Sequence, residues 1–261
     1  MFQPMVIGTG LTAWSLLKQT MDTQTAAFEA SPELVSDTEY FAANIGNVET
    51  AEDLVSDYRL LKVALSAYGL EEDLHNNFFV QQILEQGTEA DDALANKLAD
   101  TRYVEFSKAF GFGNPRGSNT SDTSFVNDVV GLYNERSFEA AVGLQDESLR
   151  LALNAERELA KIASDDMSED AMWFTVLGSE PLRQVFETAL GLPDSFATLD
   201  IDKQVDELRK RMEGFMGDSN ISQFADSENL ETLNQRFLLM SQMETFQIQS
   251  SGQIALTLLQ Y

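Results

Sequence analysis

At 261 residues the chain is long enough to bury a full core, as one large or two small domains. It has no cysteine and one histidine, His75, which excludes thiolate metal sites, disulfides and cysteine nucleophiles and leaves one imidazole for any histidine chemistry. A net charge of −26 argues against nucleic acids and anionic membrane surfaces as partners, since both are recognised through lysine and arginine.

No apolar run approaches the roughly 20 residues that cross a bilayer. Residues 1–10 lack the basic region and long apolar stretch of a secretory signal, which argues against cleavable export. The first motif is Val6-Ile7-Gly8-Thr9-Gly10-Leu11-Thr12-Ala13, which fits the G-x-G-x-x-A loop of dinucleotide-binding units, with Glu29 near the place of a ribose-binding acid. That chemistry needs a strand before the glycines and a βαβ unit after them. Pro4 and three apolar residues make a poor strand, and no parallel strand is legible in the next hundred residues. Gly8 and Gly10 therefore read as a flexible lead into a helix over 11–28, and a dinucleotide-binding enzyme stays only as an alternative.

Helix signals follow to the end of the chain. Asp37 or Thr38 is expected to cap a turn carrying Tyr40, Phe41 and Ile45, and Thr50-Ala51-Glu52-Asp53 reads as a capping box. Residues 88–91 can open a helix toward Leu94 and Leu98, and Tyr103, Phe106 and Phe110 share a helical face. Gly111-Phe112-Gly113-Asn114-Pro115-Arg116-Gly117, with 118–122 after it, is the clearest breaker and linker. Beyond it, 125–142, 149–162, 177–190, 201–216 and a long run from Leu230 read as amphipathic helices. Alternating β-branched stretches are missing, so the expected fold is all-α, a multi-helix bundle.

Two segments look like copies of one helix and its stop. Residues 55–70 and 177–192 share Leu60/Leu182, Val63/Val185, Ala67/Ala189, Gly69/Gly191 and Leu70/Leu192. The apolar matches fall at i, i+3, i+7 and i+10, one face of a helix, and the glycine stands where a helix takes a left-handed cap. A second echo pairs 41–46 with 138–143, each Phe-x-Ala-x-apolar-Gly. A diverged internal duplication is the reading, and a duplicated helical unit is a packing scaffold before it is an active site.

Chemical motifs are weak by comparison. The acidic groups Asp165/Asp166/Glu169/Asp170, Glu71/Glu72/Asp73 and Asp200/Asp202/Asp206 lack the ligand spacing, central glycine and closing glutamate of a calcium loop, and read as solvated helix starts. His75 reads as a surface or capping hydrogen-bonder, and Trp14 and Trp173 as packing residues. No catalytic, cofactor-binding or metal-ligating residue is assigned.

The chain ends are different. Residues 237–261 carry one charge, Glu244, in a chain with 23% charged residues. A helix this poor in charge is not built to face water on most sides. It is expected to pack on the N-terminal helix or on neighbouring subunits, with Phe237, Met240, Met243, Phe246, Ile254, Leu258 and Leu259 as the interaction residues.

The closing residues 248–260, Ile-Gln-Ser-Ser-Gly-Gln-Ile-Ala-Leu-Thr-Leu-Leu-Gln, resemble the C-terminal end of flagellins and related axial proteins. More widely, the chain resembles the DUF1217 family. The residues that carry this are Gly8 to Trp14, Tyr40-Phe41 with Ile45, the run 54–70, Phe78-Phe79, Ile83-Leu84-Glu85-Gln86-Gly87, Leu98-Ala99-Asp100 with Tyr103, and Ala109-Phe110-Gly111-Phe112-Gly113. The resemblance implies a helical bacterial protein linked to flagellar gene clusters and supplies no reaction. The expected function is a non-enzymatic structural or assembly component of the flagellum acting through helix–helix contacts with flagellar proteins or with itself. A cytoplasmic chaperone or adaptor for export substrates is the alternative. The expected location is the flagellum by signal-less export, or the cytoplasm. The expected organisation is an N-terminal helical segment over 1–36, helical units over 37–117 and 118–227, and a low-charge helix over 228–261 that packs with the N-terminal one.

Overall fold

A computed structural model describes residues 2–259, with side chains through Thr245 apart from Asp194. Among the described residues it has thirteen α-helices joined by turns and 3-10 segments, and no strand. In chain order these are α1 (Gly10–Glu29), α2 (Pro32–Asn44), α3 (Ala51–Ser56), α4 (Tyr58–Ala67), α5 (Asn77–Gln86), α6 (Leu94–Lys97) and α7 (Arg102–Phe110). After these come α8 (Thr123–Gly143), α9 (Glu147–Ser164), α10 (Glu169–Gly178), α11 (Glu180–Leu190), α12 (Ile201–Met216) and α13 (Ser227–Leu259). The protein is an all-α multi-helix bundle.

The chain forms two compact units. One holds residues 1–5 and 20–141, the other 6–19 and 142–261. In the first unit α2 packs on α4, α3 on α4 and α5, and α5 on α7. Its core is rich in rings: Phe110 stands edge-on to Phe125 at 4.9 Å, and Tyr68 lies 5.5 Å from Phe106. In the second unit α9 packs against α11, α13 and the 3-10 turn Ile221–Ala225. Trp173, Phe186 and Phe224 form its centre, at 5.4 and 5.9 Å between successive rings.

Local chemistry explains most boundaries. Thr50 Oγ1 accepts from the Asp53 N–H at 3.1 Å while Asp53 Oδ2 accepts from the Thr50 N–H at 2.9 Å, the reciprocal capping box expected at α3. Residues 37 and 38 do not start a helix. Ser31 precedes Pro32 at the first position of α2, and proline's fixed φ suits that site, so the helix begins a full turn earlier. Thr38 then turns its hydroxyl back to the Leu34 carbonyl at 3.0 Å. The helix expected from residues 88–91 is one turn only, α6. The glycine-rich segment 111–117 is a folded turn within the first unit. Gly111 is the left-handed cap of α7, and Gly113 lies flat on Gly87.

The duplication extends further than the sequence shows. Each copy is two helices broken at one extended residue. Asp57 has φ −99° and ψ 102° between α3 and α4, and Ser179 has φ −97° and ψ 109° between α10 and α11. The shared positions Leu60/Leu182, Val63/Val185 and Ala67/Ala189 are all buried. Both copies then close with one hydrogen-bond pattern. The Leu70 N–H reaches the Leu65 carbonyl and Gly69 the Ser66 carbonyl (2.9 and 3.2 Å); Leu192 reaches Glu187 and Gly191 reaches Thr188 (2.9 and 3.1 Å). Gly69 and Gly191 both adopt positive φ, +67° and +61°, as this cap requires. A 3-10 turn and another helix follow in each copy, Glu71–His75 before α5 and Asp194–Thr198 before α12. The second echo is different. Residues 41–46 close α2, which packs on α4, whereas 138–143 close α8, and the long helices packed on α11 are α13 and α9, so the structure gives 138–143 no place matching that of 41–46.

Arginine completes both caps. In the first copy Arg102 donates to the Gly69 carbonyl, and a Cβ added at Gly69 would lie 2.7 Å from Arg136 Nη1. In the second, Arg236 Nε donates to the Ala189 carbonyl at 2.7 Å and Arg211 Nη1 to the Leu190 carbonyl at 3.2 Å. Guanidinium groups at a helix C-terminus satisfy its free carbonyls and complement its partial negative charge.

The copies differ at the break, and this gives a test. Asp57 Oδ1 accepts from the Arg59 and Leu60 N–H groups at 2.9 and 3.1 Å, whereas the Ser179 side chain makes no capping bond. Asp57→Ala is expected to lower stability by about 1 kcal/mol, and Ser179→Ala to change it by a few tenths at most. Urea midpoints of the two variants check the difference.

Candidate interaction surface

The described residues contain no group of three or more His, Asp or Glu side chains placed to hold a metal ion. His75 is exposed at the end of its 3-10 turn. Asp200 caps α12 by accepting from the Asp202 N–H at 3.2 Å, and Glu169 accepts from the Ile221 N–H at 2.7 Å. These acids serve helix starts. The Gly8-Thr9-Gly10 loop leads directly into α1 with no strand before it. Thr9 Oγ1 accepts from Gln242 Nε2 at 3.1 Å, and a Cβ at Gly10 would collide with the same glutamine, so α13 covers Gly10 while Gly8 and Thr9 stay exposed.

A cluster of titratable groups surrounds Asp37 in the first unit. Its Oδ2 accepts from Lys62 Nζ at 2.7 Å and Tyr133 Oη at 3.0 Å, and Arg59 lies 3.5 Å from Oδ1. Arg59 also stacks over the Tyr40 ring at 4.0 Å, and Tyr40 Oη donates to Asp57 Oδ2 at 2.7 Å. Burial raises the pKa of both acids, but their hydrogen bonds and the facing cations outweigh it and hold each below its ordinary value of 3.8. Burial and the neighbouring Asp37 push the Tyr133 hydroxyl upward, away from any role as a base. The cluster ties α2, α4 and α8 together.

A lowered folded-state pKa means that Asp37 contributes stability above pH 3.8, and the contribution is lost as pH falls through the folded value. The stability gap between the protein and its Asp37→Asn variant is therefore expected to be constant near neutrality and to shrink below pH 4. Denaturant titrations from pH 7 to pH 3 measure it.

The terminal helices meet in the second unit. Trp14 is buried, and its Nε1 donates to both carboxylate oxygens of Glu231 at 3.1 Å. Lys18 Nζ lies 5.5 Å from the Trp14 ring centre and 2.5 Å from Glu156 Oε1. Trp14 faces Glu231 while Thr9 faces Gln242, so α1 and α13 run antiparallel. Between them is a shallow groove of about 520 Å³ whose lining includes Leu11, Ser15, Gln19 and Gln235.

The sequence-assigned interaction residues separate on this helix. Phe237 is 2% exposed and belongs to the core, because its face of α13 is the one packed on α9 and α11. Met240 is half-buried, with Cε 3.6 Å from where a Cβ at Gly191 would stand. Met243 is 49% exposed, and Leu239, which sequence reasoning missed, is 46% exposed. Ile7 (55%) and Leu11 (37%) are also open to solvent at the start of the N-terminal helix. The side chains of Phe246, Ile254, Leu258 and Leu259 lie outside the described residues. No helix among the described residues is long and apolar enough to cross a membrane.

Comparison with solved structures finds Protein AGR_C_984 from Agrobacterium tumefaciens, determined by X-ray crystallography for a structural genomics consortium. It is similar with a TM-score of 0.75 and 29% identity, over 92% of this chain and 99% of its own. No curated protein matches. The family profile of DUF1217, described as a protein of unknown function, matches residues 67–230, well over half of the chain, taking in the whole second copy of the broken helix and only the capping end of the first. The chain therefore belongs to the DUF1217 family.

Proposed function

We propose that this protein is a non-enzymatic structural or assembly component of the bacterial flagellum, working through its terminal helices. The observation that carries this reading is that the terminal segments meet in one unit and leave Ile7, Leu11, Leu239 and Met243 open to solvent, where the chain carries few charged side chains. Exposed apolar side chains with few charges among them favour contact with another protein. The resemblance of residues 248–260 to axial-protein C-termini, and of the whole chain to flagellar-cluster proteins, supplies the setting.

The test must leave the fold intact. Deleting 237–261 would remove the buried Phe237 and Leu238, and any loss would report misfolding. A chain ending at Thr245 keeps both. Cells carrying only that form are expected to swim poorly while the protein accumulates folded; wild-type swimming would remove the support for a terminal-helix role.

A further inference from the structure

The α1–α13 groove and the end of α13 have matching chemistry. Residues 245–261 contain no Asp, Glu, Lys, Arg or His, and neither do residues 1–17. The charged groups lining the groove are already engaged, Lys18 with Glu156 and Glu231 with Trp14. Between Lys18 and Glu231, which are opposite in sign, Leu11, Ser15, Gln19 and Gln235 line the trough with uncharged side chains. Two copies of a chain carrying −26 repel each other over most of their surfaces, so close approach is favoured where the tail brings no charged side chain and the groove brings no excess of acids.

Geometry decides whether the contact is made within one chain. The groove lies beside Glu231 and Gln235, and α13 continues as one helix to Leu259, past Gln242 and the start of α1. The antiparallel arrangement leads the C-terminal stretch away from its own groove, for about 25 Å beyond Gln242 at 1.5 Å per residue. A straight helix cannot turn back to fill it. The groove of one molecule is open to the end of another.

We infer that the end of α13, residues 246–259, which carries no charged side chain, docks in the α1–α13 groove of a second copy of this chain, a head-to-tail contact that passes from one copy to the next. The mode is a helix laid in a groove. Tail and groove are different surfaces, so the contact propagates as a ring or an open filament, except where two copies exchange tails reciprocally and close as a dimer. The inference rests on the terminal-helix reading above and names its partner.

Three purified forms test it in sedimentation velocity: the full chain, the chain ending at Thr245, and a Gln19→Glu/Gln235→Glu variant that places acids in the groove. The full chain is expected to associate with rising concentration, more strongly at high salt because acidic repulsion is screened. Each altered form alone is expected to associate at least about tenfold more weakly. Mixed, they are expected to give a one-to-one heterodimer that grows no further, since one keeps the groove and the other the tail. A full chain that stays monomeric, an altered form that still associates as the full chain does, or a mixture without heterodimer overturns the inference. Assembly in the tube without flagellar association in cells would sink the flagellar assignment and leave this contact standing.

Discussion

Trp173→Ala is expected to remove about 3–5 kcal/mol of stability, the range found when a large buried aromatic is truncated and its cavity only partly collapses. Trp173 has no exposed surface, stands edge-on to Phe186 at 5.4 Å, and donates from Nε1 to the Ser219 carbonyl at 3.0 Å. The substitution therefore removes packing and also takes the donor from a part-buried carbonyl, which adds to the loss. Whole domains are stable by only about 5–15 kcal/mol, so the variant should unfold at markedly lower urea. Trp173→Phe keeps most of the volume and loses the N–H, so it should fall between the two. A midpoint for Trp173→Ala indistinguishable from that of the parent protein would mean that Trp173 is not at the centre of the second unit.

Gly113→Ala is expected to lose about 3 kcal/mol, the upper end of overpacking effects, for a reason unrelated to backbone freedom. A Cβ at Gly113 would stand 2.3 Å from the Gly87 nitrogen and 2.4 Å from the Glu85 carbonyl oxygen. Both are backbone atoms, so no side chain can rotate out of the way. The turn 111–117 would have to lift from the end of α5, and the bond from the Thr88 N–H to Asn114 Oδ1 at 3.2 Å would go with it. Two glycines serve as controls. Gly117 has nothing within 4 Å of a new Cβ but a φ of +80°, so alanine there should lose about 1–2 kcal/mol from the left-handed backbone alone. Gly46 has neither constraint and should tolerate alanine. Thermal melts of the three variants that failed to order Gly113 below Gly117 below Gly46 would contradict the close approach.

Much of the fold is legible from residue order, because its signals are local. The α12 boundaries, the capping box at Thr50 and the left-handed glycines at 69, 111 and 191 all follow from side-chain periodicity and backbone chemistry within one or two turns. What is hidden is long-range or compensatory. The breaks at Asp57 and Ser179 interrupt runs whose apolar periodicity continues across them, so spacing alone reads each as a single helix. The arginines at the ends of α4 and α11 come from far along the chain and belong to no periodic pattern. Residues 111–117 have the composition of a linker, yet Gly113 is there because a neighbouring backbone passes beside it. Phe237 and Met243 are both apolar on a low-charge helix, and only the positions of α9 and α11 show that one faces inward and the other outward. Leu239 was missed for the same reason, since its sequence neighbours Leu238 and Met240 lie on more buried faces.

The scaffold is two copies of a broken helix with arginine-sealed caps, and the proposed role rests on the exposed apolar side chains of its terminal segments. A protein of this kind is expected to work where it is assembled. The most direct measurement is to shear flagella from growing cells, separate filaments, basal bodies and cell contents, and locate the protein in each with an antibody. Recovery with the filament or basal-body fraction, lost when the chain ends at Thr245, is the expected result. Recovery only with the soluble cell contents, unchanged by that truncation, would contradict the flagellar assignment and favour a chaperone or adaptor that never leaves the cytoplasm.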